Sequence, residues 1–171
     1  MARLRPADAH GEVADRLRER RGGRLTPLDD MLLHSEPLAD GWNTLLAAVR
    51  SRFSLAADLR ELAICRIAVL NDADYEWQAH APLLQAAGFT DEQLAAVRND
   101  GDRAALSPAH RACLDYTDAM TRDVRVPDEL FAAVLEELGE RGTVELTATV
   151  ASYNMVSRFL VALGVSVDRR P

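Results

Sequence analysis

One stretch decides the fold of this chain: Glu61–Gly88, "ELAICRIAVLNDADYEWQAHAPLLQAAG". Between Leu62 and Leu70 only Arg66 is polar, so a helix opening at Asp58 is apolar nearly all round. Such a helix is central in a bundle or covered by a partner subunit. Asn71 or Asp72 is the expected cap of the next helix, from about Ala73 to Ala87, and Gly88 closes it at the position after its last turn.

The same 3.6-residue period extends outward in both directions, and no convincing strand alternation interrupts it. Residues 7–20 read as a charge-dense helix stopped by Arg20-Arg21-Gly22-Gly23. Pro27 to His34 is a short helical segment. Ser35 should cap a helix through Ser51, with Pro37 in its first turn and Leu38, Trp42, Leu45, Leu46 and Val49 along one stripe. On the other side, Thr90 caps "DEQLAAVRN" and Ser107-Pro108 starts a helix to Arg122. Pro127 starts another to about Gly139, and residues 143–163 form a long apolar helix stopped by Gly164. The expectation is an all-α single helical domain of eight or nine helices, residues 26–171, preceded by an N-terminal helical extension, residues 1–25.

The composition narrows the function classes. At 171 residues and 48% apolar, the chain is long enough for one domain with a real core. Its 27 acids against 20 Lys+Arg give a formal charge of −7, which argues against nucleic-acid binding. An anionic substrate would need a local arginine against that field. The two cysteines, Cys65 and Cys113, form no CxxC or Cys/His cluster, and each sits in an apolar periodicity as a small hydrophobe. The N-terminus has no apolar run of signal-peptide length, and no window reads as a membrane span. A cytoplasmic protein with no membrane partner is expected.

On the helix after Asn71, positions 76, 80, 83, 84 and 87 share a face that reads Glu, His, Leu, Leu, Ala, while Gln78 and Gln85 lie toward solvent. Glu76 and His80 thus continue an apolar stripe, and polar groups on such a face need partners or line a cavity. A surface i,i+4 pair is the plainer alternative. Glu61 raises the same question at the head of the most apolar helix, where it could also be a first-turn acid favoured by the dipole. Arg66 suits an internal or intersubunit ion pair, or else a substrate carboxylate. His34 and His110 flank or occupy helix starts, where surface or capping roles are expected. A divalent metal on two carboxylates and His80 is another use of these residues. The spacing is not the ExxH of di-iron bundles, however, and no second His accompanies it.

The stretch "LRELAICRIAVLNDADYEWQAHAPLLQAAGFTDEQLAAV" resembles the carboxymuconolactone decarboxylase family, related to alkyl hydroperoxidase D. The likeness is strongest over residues 58–97. It continues more weakly in "HSEPLADGWNTLLAAV" and "VASYNMVSRFLVALGV". The redox branch of that superfamily carries a Glu, then a CxxC, then a His four residues after the second Cys. Placing Glu61 and His80 on that Glu and His leaves Ala73 and Glu76 at the two cysteine positions, with Tyr75 between them. Without two thiols no dithiol–disulfide cycle can run.

What remains is similar to the cysteine-free branch, γ-carboxymuconolactone decarboxylase: Glu61, Tyr75, Glu76, Trp77 and His80. The resemblance implies a cofactor-free lyase or isomerase of small carboxylated lactones, in aromatic-compound catabolism. Its catalytic residues would be His80, Glu76 and Glu61, with Tyr75, Trp77 and Arg66 binding substrate and no metal or other cofactor. The all-round apolar helix at 58–70 and the long apolar helix at 143–163 exceed what one small bundle easily buries, so both are expected to contribute to a homo-oligomer. The resemblance likewise implies one, a trimer or hexamer.

Overall fold

The computed structural model describes residues 2–99 and 103–167, so the outermost expected domain limits, residues 1 and 171, lie outside the described residues. The fold is all-helical, with no strand among the described residues. In chain order the helices are α1 (Glu12–Arg20), α2 (Pro27–Leu32), α3 (Glu36–Ser51), α4 (Ala57–Leu70), α5 (Asp74–Ala86), α6 (Asp91–Arg98), α7 (Pro108–Arg122) and α8 (Asp128–Leu163). The chain divides into two compact units. One comprises the residues up to Arg52 together with those from Phe159 on; the other is Phe53–Arg158.

In the first unit α1 starts at Glu12, later than its charge pattern suggests, because Gly11 takes a positive φ of 94° that ends the helix there. Thr26 and Asp29 form a reciprocal capping box at the head of α2. The buried stripe of α3 is Ala39, Trp42, Leu46 and Val49. Leu38 and Leu45, at the edge of the expected stripe, are 40% and 43% exposed. The small Ala39 takes the inward position beside Trp42, whose ring packs on Phe159 with centroids 5.1 Å apart. Ser35 occupies the N-cap position of α3, but its side chain makes no capping bond.

The second unit is organised around α4. Every residue from Glu61 to Ala68 is buried, as the all-round apolar sequence requires, and α5, α6 and α7 pack against it. This helix is therefore covered by its own chain. Neither Asn71 nor Asp72 caps α5. Ala73 stands at the N-cap, while Asn71 Nδ2 donates to Asn154 Oδ1 (3.1 Å) and Ser157 Oγ (2.7 Å). Asp72 instead takes the left-handed turn position, φ 51°. A cap is dispensable where the connection is held by such side-chain bonds. At the other end Gly88, φ 107°, closes α5 in a Schellman arrangement: Gly88 N donates to Gln85 O and Phe89 N to Leu84 O.

The expected helices at 127–139 and 143–163 run on as α8, broken at Gly139, where φ is 67°. By length and composition α8 could cross a membrane, with a best window of mean hydropathy 1.2, which corrects the reading that no segment approaches a span. Half of that window is buried in the protein. The helix also carries the buried Glu145, which accepts from Ser54 Oγ and Leu55 N at 2.8 Å each and so fixes the turn before α4. Both features are those of a core helix.

Candidate active site

Glu61 lies in the second turn of α4 and Glu76 in the first turn of α5, with His80 one turn further along α5. All three side chains are buried. The bland surface-pair reading of Glu76 and His80 therefore does not describe them. His80 stands between the two carboxylates: Nδ1 is 2.6 Å from Glu61 Oε2, and Nε2 is 3.3 Å from Glu76 Oε2. The second Glu61 oxygen, Oε1, is 3.2 Å from Arg60 Nε. A line of alternating charge results, Arg60–Glu61–His80–Glu76. The edge of the Tyr153 ring, from α8, meets the imidazole at 5.2 Å and an interplanar angle of 87°.

The electrostatics follow from competing effects. Burial opposes a charged imidazole. The hydrogen bonds and charges of Glu61 and Glu76 outweigh it, and the His80 pKa is pushed up to about 9. Burial likewise opposes the charged form of Glu61, and is overcome by the His80 bond and charge and by Arg60, so this carboxyl titrates below its ordinary value. The two shifts agree: at neutral pH the pair is imidazolium and carboxylate.

The remaining candidates are more dispersed. Tyr75 and Trp77 are half-buried, and the Arg98 guanidinium lies over the Trp77 ring, 5.2 Å from its centroid. Arg66, 1% exposed, holds Asp118 through both carboxylate oxygens (2.5 and 2.8 Å) and donates to Val97 O (3.0 Å). Its other surroundings form an open groove of about 400 Å³ with Val69, Leu70, Arg98 and Arg122. His110 is paired to Asp58 (2.9 Å) and packs on Phe89 at 4.8 Å, a more enclosed place than a surface or capping role. His34 Nε2 meets the Arg5 carbonyl at 2.9 Å.

Cys65 and Cys113 are free and buried. Burial first, then the charges of Glu61 and Glu76, push the Cys65 thiol above the ordinary range. Burial chiefly pushes Cys113 up to about 12. Among the described residues, no three His, Cys, Asp or Glu side chains are arranged to hold a metal ion. Arg60 and Tyr153 are the site neighbours that sequence reasoning missed. Tyr153 lies in "VASYNMVSRFLVALGV", a stretch with a weak likeness to the family, and that was the available signal. Arg60 had none beyond its place beside Glu61.

Residues 36–119 match the model of the carboxymuconolactone decarboxylase family. The uncharacterized protein YdfG of Bacillus subtilis (strain 168) is 26% identical over 113 residues, 65% of this chain and 77% of that protein. An uncharacterized peroxidase-related protein from Silicibacter sp. TM1040 superposes with a TM-score of 0.77 at 14% identity, over 91% of this chain and 82% of the other. A protein of unknown function from Agrobacterium tumefaciens, provisionally assigned as the antioxidant defence protein AhpD, gives 0.73 at 17% identity, over 80% and 94%. The debrominase Bmp8, solved as a cysteine-to-alanine variant with 2,3,4-tribromopyrrole, gives 0.72 at 17%, over 90% and 83%. At these identities the solved structures establish the alkyl hydroperoxidase D-like fold.

Proposed function

We propose, from the match of residues 36–119 to the model of the carboxymuconolactone decarboxylase family, that the chain is a member of that family and a cofactor-independent lyase or isomerase of small carboxylated cyclic compounds. One observation carries the reading: a buried imidazole held between two carboxylates, Glu61 at 2.6 Å and Glu76 at 3.3 Å. Losing CO2 from a conjugated lactone acid breaks a carbon–carbon bond and leaves its electrons in an extended enolate. A carbon of that enolate must then take a proton. The His80 imidazolium is the donor, and solvent returns the proton to it afterwards.

The two ring nitrogens divide the work. Nδ1–H is fixed by the short bond to Glu61, which sets ring orientation and tautomer. Nε2–H, on the longer contact to Glu76, is the proton that can be given up. Tyr75 and Trp77 supply an apolar wall. A substrate carboxylate on Arg66 would have to displace Asp118, so Arg98, stacked on Trp77, suits that anion better.

Thiol peroxidase chemistry, suggested by the name of one structural relative, is disfavoured. By the family resemblance, Ala73 and Glu76 take the positions of the redox cysteines, and both thiols present are buried. The same reading includes a cytoplasmic homo-oligomer, a trimer or hexamer. The apolar surface available for it includes Val144, Met155 and Val161 of α8.

The test is CO2 release or double-bond migration from a panel of small unsaturated lactone acids, with His80→Gln as control. Turnover by the wild type and not the variant supports the relay. Equal turnover by both would end it.

A further inference from the structure

We propose that Arg60 is a positioning residue of the relay, holding one oxygen of the Glu61 carboxylate so that the other stays on His80. The inference rests on His80 as the proton carrier and adds how its charge is kept in place.

The geometry is specific. Glu61 Oε2 takes His80 Nδ1 and Oε1 takes Arg60 Nε, so each carboxylate oxygen meets its own donor. Consecutive residues of a helix point about 100° apart and do not ordinarily face each other. The Arg60 side chain therefore folds back along α4 to reach its neighbour, and in that pose only 16% of it is exposed. The groups facing His80 are Glu61 from α4, Glu76 from its own helix and the Tyr153 ring from α8, with Cys65 close to both carboxylates. Of these, Glu61 meets a second cation, the Arg60 guanidinium.

That cation matters because burial alone drives a carboxylate toward its neutral form. A neutral Glu61 would leave Nδ1 facing an acid that no longer favours the imidazolium. Arg60 keeps the carboxylate ionised by pairing with it at 3.2 Å, and it stops the carboxylate from rotating off the ring.

The experiment is an NMR titration of side-chain histidine nitrogens in the full-length protein. The chain has four His, and His80 is assigned by its absence in His80→Gln. In Arg60→Gln the His80 titration should move down by about one pH unit. In Arg60→Lys, which keeps the charge, it should return to the wild-type position. An unchanged titration in the glutamine variant overturns the proposal, as does an equal downward shift in both variants. Should the glutamine variant not fold, the wild type decides: the Arg60 Nε–H signal should move with the His80 titration, because both groups sit on one carboxylate. A signal indifferent to that titration overturns the proposal. Protonation is read without turnover, so the role of Arg60 is tested even in a protein inactive as a lyase.

Discussion

Two buried ionic clusters grow from the same helix, five residues apart. Glu61 leads to His80 and Glu76; Arg66 leads to Asp118, which also takes Arg103 NH2 at 2.8 Å. Both remove charge from water, and both satisfy it with partners. The Arg66 cluster contains a guanidinium that keeps its proton at any accessible pH and grips its carboxylate in a bidentate fork. It can bind helices together but cannot trade protons. The His80 cluster contains an imidazole, the side-chain type whose ordinary pKa lies near neutrality, with a carboxylate at each nitrogen. Burial and pairing alone do not mark a site; a titratable centre with a replaceable partner does.

The sharpest way to break this contrast is to remove each centre in turn. His80→Gln should lower turnover by about 10²- to 10⁴-fold, the usual reach of a positioned acid or base. The fold should survive, because the glutamine amide can still donate to one carboxylate. Steady-state rates with circular dichroism check both halves. Asp118→Ala should do the reverse in kind. It strands the buried Arg66 charge and should cost about 3–5 kcal/mol in denaturant unfolding. Full turnover in His80→Gln, or an Asp118→Ala variant that kept its stability and lost only activity, would invert the assignment.

A smaller effect separates the clusters by pH. The folded pKa of His80 is raised to about 9 from an ordinary 6.5. Its contribution is therefore complete below pH 6.5 and fades as pH rises through 9. The raised value corresponds to on the order of 3 kcal/mol. The Glu61 shift has the opposite sign: its contribution is present above pH 4.5 and is lost as pH falls through the lowered folded value. Unfolding free energy measured from pH 6 to pH 10 should fall in the wild type and lose that alkaline slope in His80→Gln. An identical slope in the variant would move the effect elsewhere in the protein.

Much of this was legible in the sequence because the relevant signals are local. The absence of polar residues from Leu62 to Leu70, save Arg66, forces a buried helix, and α4 is one. Gly88, Thr90 and Ser107 mark helix ends by short-range chemistry, and each does so in the structure. Glu76 and His80 were visible as polar groups on an apolar face. Tertiary placement was not visible. Spacing says nothing of which acid reaches which ring nitrogen across two helices, so Glu61 could only be proposed as a partner. Arg66 read first as an ion-pair partner and second as a substrate residue, but its partner was unknown until α7 brought Asp118 to it. The misplaced cap at Asn71 has the same origin, since its side chain answers to Asn154 and Ser157, more than eighty residues away.

The smallest expected effect sits between the two clusters. Cys65 is four residues after Glu61 and directly before Arg66, fully buried and close enough to both Glu61 and Glu76 for their charges to raise its pKa. A thiol there is held protonated by burial and by two anions, and only the thiolate is a nucleophile. Cys65 should therefore behave as a small core residue, whatever chemistry its neighbours perform. Cys65→Ala, alone or with Cys113→Ala, should cost on the order of 1 kcal/mol per site from lost packing. It should leave turnover unchanged within about twofold, a difference well under 1 kcal/mol in the barrier. Denaturant melts and rates on the same samples test both. A large loss of rate with an intact fold would put sulfur into the mechanism and make the contrast threefold: a proton site, a structural ion pair and a thiol on one helix.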